Sequence, residues 1–306
     1  MALISRRAFI KLSASTLALA AAGSFYGVVV EPFFRLHVKR YAPEIAAWPA
    51  DLSLRIAIVT DLHACDPWMS EDHVKSIVAM TNDLGADCIL LLGDYIATHR
   101  FQRNMPQHLW ARALAQLKAP LGVHSVLGNH DWWADHGALQ NGGIPAAGKA
   151  LQDAGLTVYQ NRSVRLEKNG KPFWIAGLDD QVAYIPVRGL RHKKYGADDL
   201  PGTLSQVTDD APVILLAHEP DIFPRVPERV ALTLSGHTHG GQISLFGWTP
   251  VVPSRYGSRY VYGHKIETGR HLIVSSGLGC SGVPVRIGAA PEIVLIDLGA
   301  KRESGA

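Results

Sequence analysis

The sequence predicts an α/β fold, and three observations carry that expectation. Short apolar runs recur along the chain, amphipathic segments at helical spacing follow several of them, and each run stops at a carboxylate, amide or imidazole side chain. Residues 55–60 read as the first buried strand and end in Asp61-Leu62-His63. A helix follows, with Ser70 as N-cap, Glu71 and Asp72 in its first turn, Val74, Ile77 and Val78 as an apolar stripe, and Gly85 as its stop. The second strand, 88–92, ends in Gly93-Asp94. A helix over 106–118 leads to a third strand, 123–127, which ends in Gly128-Asn129-His130-Asp131. Beyond an unassigned middle section, the strand at 213–217 ends in His218-Glu219-Pro220, and the one at 231–235 ends in Gly236-His237-Thr238-His239.

The residues before the first strand read as an address. Ser5-Arg6-Arg7-Ala8-Phe9-Ile10-Lys11 precedes an uncharged, Ala-rich run over 12–30, a pattern that looks like a twin-arginine export signal. An ordinary surface helix would carry a polar face, yet only Ser13, Ser15, Thr16, Ser24 and Tyr26 are polar in this run. Ala18-Leu19-Ala20 and Ala20-Ala21-Ala22 both fit a small-x-small peptidase site, while the uncut run is long enough to span a bilayer. Arg6, Arg7 and Lys11 keep the N-terminus cytoplasmic under the positive-inside rule, which puts the body outside the cytoplasm in both cases. The expected organisation is a signal or retained membrane anchor over 1–30, a Pro-containing linker over 31–50, one catalytic domain over 51–300 and a tail over 301–306. The expected location is the bacterial periplasm or the outer face of the inner membrane, with the twin-arginine machinery as a transient partner.

The domain, roughly 250 residues, is large enough to bury one core. A net charge of +3 is too mild for a nucleic-acid surface, so no nucleic-acid partner is expected. Arg188, Arg191, Lys193 and Lys194 form a basic run that reads as a solvated loop, with a grip on an anionic substrate or headgroup as the alternative. Cys65, Cys88 and Cys280 do not make a disulfide framework. Cys88 reads as a small buried hydrophobe, while Cys65, two residues after His63, leaves a functional role open.

Asp61, His63, Asp94, Asn129, His218, His237 and His239 stand at five strand ends. In open α/β sheets the ligand crevice lies beyond the carboxyl ends of the strands, so residues distant in sequence converge there. Polar loops alone would place lysine, serine or threonine at these positions too, and none occurs. The stretch from Gly236 to Gln242, taken alone, fits either a polar turn or a metal site; its glycines permit the tight bend that two neighbouring imidazoles need. Seven ligands exceed the four of a tetrahedral zinc site and suit two divalent ions about 3.5–4 Å apart that share a carboxylate. The mixture of imidazole, carboxylate and amide favours Mn, Fe or Zn over calcium. No organic cofactor is expected.

Asp61-x-His63, Gly93-Asp94, Gly128-Asn129-His130-Asp131, His218 and Gly236-His237-x-His239 resemble, in order, the five blocks of the calcineurin-like metallophosphoesterases, across residues 55–298. Asp131-Trp132-Trp133, Ala176-Gly177-Leu178-Asp179-Asp180 and Gly236-His237-Thr238-His239-Gly240-Gly241-Gln242 are similar to the exported or membrane-associated bacterial branch. The resemblance implies a four-layer α-β-β-α sandwich of two mixed sheets. It implies that Asp61, His63 and His239 hold one metal, that Asn129, His218 and His237 hold the other, and that Asp94 bridges them. It also implies two catalytic roles. His130 stabilises or protonates the leaving oxygen, and Asp131, standing where many relatives carry Glu, orients His130.

Two cations would neutralise the phosphoryl oxygens, lower the pKa of a shared water and hold an in-line attack, which makes a phosphodiester the expected substrate. Trp132 and Trp133 read as a wall beside the site or as one core and one exposed side chain. The aromatic, Gly-rich stretch Phe246-Gly247-Trp248-Thr249-Pro250 and residues 256–262 read as a lid or an amphiphile-binding surface. An envelope phosphodiester, phospholipid-like or lipid-linked, is the leading substrate class. Relatives of the branch include hydrolases of UDP-2,3-diacylglucosamine, a cytoplasmic lipid, which is the second reading. A nuclease would need a longer basic track, and a non-catalytic metal protein would lack His130 or a ligand.

Overall fold

Side chains alternate faces along a strand, so a strand buried on both sides feeds two different cores. That alternation builds the layers of this protein. The computed structural model describes residues 5–98, 101–185 and 195–299; the basic run from Arg188 to Lys194 lies outside them. In chain order the strands are β1 (His37–Tyr41), β2 (Leu54–Val59), β3 (Cys65–Asp66), β4 (Cys88–Leu91), β5 (Arg103–Asn104), β6 (Val123–Ser125), β7 (Thr157–Val158), β8 (Arg162–Lys168), β9 (Lys171–Gly177), β10 (Val213–Leu216), β11 (Val230–Ser235), β12 (Gly263–Glu267), β13 (Arg270–Val274) and β14 (Glu292–Leu298). The helices are α1 (Arg6–Phe25), α2 (Glu31–Phe34), α3 (Glu71–Asp83), α4 (Gln107–Leu114), α5 (Asn129–Trp133), α6 (His136–Asn141), α7 (Ala146–Asp153) and α8 (Leu200–Leu204).

One sheet runs β1-β14-β2-β4-β6-β7, with β2, β4, β6 and β7 parallel and β14 antiparallel to β2. The other runs β12-β13-β11-β10-β9-β8, with the four central strands parallel and both edges antiparallel. Ile56, Ile58 and Leu90 of the first sheet meet Phe173, Ile214 and Leu232 of the second in the inter-sheet core. Their neighbours Ala57, Val59, Ile89 and Leu91 turn outwards onto Val74 and Ile77 of α3, Trp110 of α4 and Leu151 of α7. On the opposite outer face Val213, Leu215 and Val274 pack against Ile222, Phe223 and Tyr260. The expected sandwich of two mixed sheets is therefore present, its second outer layer made of α8 and short 3₁₀ turns.

The structure departs from the sequence reading at the N-terminal side. The apolar helix does not stop at residue 30; it runs through a π turn (Tyr26–Val30) into α2. The stretch read as a linker also contributes β1, which pairs in parallel with β14. Its sequence, His37-Val38-Lys39-Arg40-Tyr41, is too polar to signal a strand, because an edge position demands little burial. The helical segment Arg6–Phe34 contains an 18-residue stretch with a mean hydropathy of 1.5 and is the one helix, among the described residues, long and apolar enough to cross a membrane. None of α1 is buried.

The end of this helical segment is fastened to the body. Gly27 is buried where a Cβ would stand 2.9 Å from Ile287, and its carbonyl accepts from the Arg286 N–H at 2.9 Å. Glu31 is 2% exposed, and its carboxylate accepts from the N–H groups of Gly288 (3.0 Å) and Ala289 (2.9 Å). Replacing Glu31 with Ala strands two backbone donors, one of them fully buried, and should lower the unfolding free energy by about 1–3 kcal/mol in urea titration. An unchanged midpoint would mean that water replaces the carboxylate without loss.

Candidate metal centre

The five strand ends converge on one crevice between the sheets, as their shared direction requires. Asp61, His63, Asp94 and His239 bring one ligand atom each to within 4.8 Å of one another, and Asp94, His218 and His237 do the same beside them. Asp94 belongs to both groups. Asn129, at the start of α5, reaches the second group, with its side-chain oxygen 2.9 Å from His237 Nδ1. All seven residues singled out in the sequence thus lie in one place, and all but His237 are fully buried.

The backbone carries strain there. Asp61, His63, Asp94, His237 and His239 have φ between 46° and 69°, the left-handed region that side-chain-bearing residues avoid. Neighbouring glycines make the crowding possible. A Cβ on Gly236 would stand 2.3 Å from Asp61 Oδ2, and one on Gly128 would stand 2.3 Å from Asp94 Oδ1. At these two positions glycine is needed because a carboxylate occupies the space of a side chain.

Hydrogen bonds to carbonyls reveal which imidazole nitrogens are bare, since a carbonyl only accepts. His63 Nδ1 donates to Ile96 O (3.0 Å), His218 Nδ1 to Leu92 O (2.7 Å) and His237 Nε2 to Pro253 O (2.9 Å). A neutral ring then leaves a lone pair on the other nitrogen. His218 Nε2 faces Asp94 Oδ2 at 3.1 Å and His237 Nδ1 faces the Asn129 oxygen at 2.9 Å, while His239, whose Nδ1 accepts from Arg286, turns its Nε2 to the bare Nε2 of His63 at 3.1 Å. His218 Nε2 has no aligned hydrogen-bond partner. Acceptors aimed at acceptors repel unless a proton or a cation lies between them. The donor set therefore fits divalent cations, with Asp94 Oδ2 at the junction, 3.6 Å from His63 Nε2 and 3.9 Å from His130 Nε2.

The electrostatics agree. Burial pushes His63 down to about 3 and His239 well below the usual imidazole range, so both rings are neutral at neutral pH. Burial alone would raise Asp94, but the surrounding imidazoles, His218 first, outweigh it and hold the carboxyl well below its ordinary value. Burial would likewise lower His218, yet Asp94 overrides it and favours the charged ring. Burial pushes Asp61 up to about 6.

His130 lies beside this group and lines the crevice, its ring held by two hydroxyls. Thr98 Oγ1 is 2.5 Å from Nδ1 and Ser281 Oγ is 3.1 Å from Nε2. The expectation that Asp131 orients His130 is corrected by these contacts. Asp131 instead accepts from four backbone N–H groups, of Gly128, Asp94, Tyr95 and Ile96, at 2.9–3.2 Å. It braces the loop that carries Asp94, because its buried carboxylate needs donors and that loop supplies three.

The two tryptophans divide their tasks. Trp132 is buried and donates to Asp179 Oδ1 (2.8 Å), whereas Trp133 lines the crevice with its ring 5.3 Å from His130. Cys65 is buried at β3, burial pushes its thiol up to about 11, and it belongs to neither ligand group; the three cysteines form no disulfide. Sequence reasoning missed Thr98, Ser281 and Arg286. Arg286 is wholly buried, donates to the carbonyls of Gly279, Ala289 and Ser276, and lies 3.1 Å from His239 Nδ1. No spacing rule marks such residues, because each acts from a loop far from the residue it touches.

Gly236→Ala tests the crowding. The variant should fold with bound metal reduced below half of the wild-type content, measured by elemental analysis of the purified protein. Full metal content would show that Asp61 can retreat from an added methyl.

A model of the calcineurin-like phosphoesterase family matches residues 54–241. An uncharacterized metallophosphoesterase of Bacillus subtilis, YkuE, is 34% identical over 96% of this chain and 98% of its own length. A second uncharacterized metallophosphoesterase, from Aquifex aeolicus, is 29% identical over 89% of this chain and 95% of its own. A transmembrane protein with metallophosphoesterase domain from Danio rerio is 27% identical over 80% of this chain, which spans 53% of that protein. With the fold, the buried cluster and these likenesses together, the chain belongs to the calcineurin-like phosphoesterase family and is a metal-dependent phosphoric ester hydrolase.

Proposed function

We propose that this chain is a phosphodiesterase with a two-metal centre, working in the bacterial envelope on a phosphodiester or phospholipid-like substrate. The observation that carries the reading is the pair of ligand groups joined at Asp94, each with bare imidazole nitrogens turned inward. Asp61, His63 and His239 would hold one ion, Asn129, His218 and His237 the other, with Asp94 between them. Bound there, two divalent ions such as Mn, Fe or Zn supply charge neutralisation and an acidified water. His130, steadied by Thr98 and Ser281, donates a hydrogen bond or proton to the leaving oxygen. Asp131 keeps the Asp94 loop in register, and Trp133 excludes water on one side of the crevice.

The N-terminal pattern supports export by the twin-arginine route and a retained anchor, with the catalytic domain beginning near residue 51 and the preceding strand bound to it. An apolar crevice beside the metal residues also favours a second reading, cleavage of the pyrophosphate in UDP-2,3-diacylglucosamine. The cytoplasmic home of that lipid conflicts with an exported body, which ranks it second.

Purified, metal-loaded protein should hydrolyse a bis-aryl phosphodiester faster than the aryl monoester, and a chelator should abolish both. No turnover of any phosphorus ester with metals bound would overturn the reading. His130→Ala should keep its metals and lose about 10²–10⁴-fold in kcat, the usual worth of general acid catalysis. Wild-type turnover by that variant would remove His130 from the mechanism.

A further inference from the structure

The direction of the first sheet decides where the apolar helix meets the body. β2, β4 and β6 end at the metal-site rim, β14 runs against β2, and β1 runs with β14. The first residue of β1, His37, therefore starts at that same rim. Only Arg35 and Leu36 separate β1 from the end of α2. Trp68, on the loop after His63, donates to Val28 O at 3.2 Å, and the loop after β13 carries the contacts to Gly27 and Glu31. A membrane-spanning α1 would hold the catalytic face within a few residues of the bilayer, with no slack for the body to turn away.

The same face is apolar where solvent would favour polar groups. Outside Arg6–Phe34, ten large hydrophobic side chains are exposed among the described residues; apart from Met80 and Ile266, all stand on loops that follow the carboxyl ends of strands. The densest group is Leu245, Phe246, Trp248 and Val251, where Phe246 is wholly exposed and Trp248 and Val251 are 65% and 72% exposed. Scattered surface hydrophobics are ordinary, but a clustered, one-sided set marks an interaction face. A pocket of about 560 Å³ opens beside them. His130, His237 and His239 are in its lining, and so are the apolar Trp133, Ile243, Val251 and Val283. Val251 and Val283 are both pocket wall and exposed rim, so the pocket is continuous with the apolar surface.

We propose that this rim docks on the bilayer that α1 enters, with the Leu245–Trp248 loop seated at the headgroup–acyl boundary. The pocket then takes the apolar chain of an amphiphilic phosphoester drawn sideways from the membrane. This rests on the anchored metallophosphoesterase reading above. Covering lipid is the occupant chosen because the apolar helix and the apolar loops share one face and one point of attachment.

Two measurements on the full chain test it. Phe246→Cys and, at the opposite end of the body, Glu167→Cys are each labelled with an environment-sensitive fluorophore; the native cysteines are buried. Both proteins are reconstituted in phosphatidylethanolamine–phosphatidylglycerol vesicles containing spin-labelled lipid. The Phe246 label should shift to the blue and be quenched by about half or more, while the Glu167 label stays in water. Protein that floats with vesicles but keeps both labels aqueous overturns the docking and leaves the anchor intact. Protein that does not float overturns the anchor, and the docking with it.

The pocket is read with soluble aryl phosphodiesters bearing a methyl or a long alkyl group. The long-chain ester should show kcat/KM roughly tenfold above the methyl ester, since each buried methylene contributes up to about 0.8 kcal/mol, and Val251→Asp should narrow that gap. Equal values for the two esters would overturn the pocket assignment, whereas no turnover of either would overturn the phosphoesterase reading instead.

Discussion

Buried negative charge at Asp94 and Asp61, ringed by imidazoles, is the constraint on which the rest of this structure depends. Among the described residues no lysine is buried at this point, and the one wholly buried arginine, Arg286, is occupied with carbonyls on the far side of His239. A fold that assembles such a cluster must meet its cost elsewhere. Two six-stranded sheets, with cores between and outside them, supply the apolar burial that does so. The left-handed backbone at five candidate ligands and the bare glycines beside Asp61 and Asp94 are local expressions of the same demand: several polar groups must occupy one small volume.

The braces around the cluster are as informative as the cluster. Asp131 ties α5 to the loop bearing Asp94, so two strand ends move together. Thr98 and Ser281 grip His130 from two different loops. Arg286 joins His239 to the segment 276–289, whose N–H groups in turn hold Glu31. A chain of contacts thus leads from the end of the apolar helical segment to an imidazole of the candidate metal site. Its parts are buried backbone donors, one carboxylate and one guanidinium, groups that lose much if any partner leaves. The end of the helical segment, at Gly27 and Glu31, is consequently tied to the candidate metal site.

Much of this was legible in the chain. Apolar runs such as Ile56-Ala57-Ile58-Val59 announce buried strands because nothing else tolerates such a run in a short element. Their endings announce the site because open sheets collect ligands at one rim. The helix at α3 was readable to its cap, where Ser70 accepts from His73 N–H at 3.4 Å. Less was legible where burial is one-sided. β1 and β8 carry alternating polar residues suited to an edge, and β14, though apolar, leads to no ligand that would have drawn notice.

By itself, then, the sequence determined the class of fold, the order of strands that end in ligands, and the identity of the seven residues that gather there. These follow from local physics: side-chain alternation, capping, and the chemistry a residue type can offer. Tertiary structure alone decided the partners. It turned Asp131 away from His130 towards backbone donors, set Thr98 and Ser281 on the imidazole, and placed Arg286 behind His239. It also brought the apolar helix and the exposed Leu245–Trp248 loop to the same rim, through the direction in which β1 and β14 enter the sheet. Strand direction and long-range hydrogen bonding are properties of a closed three-dimensional arrangement, and no window along the chain contains them.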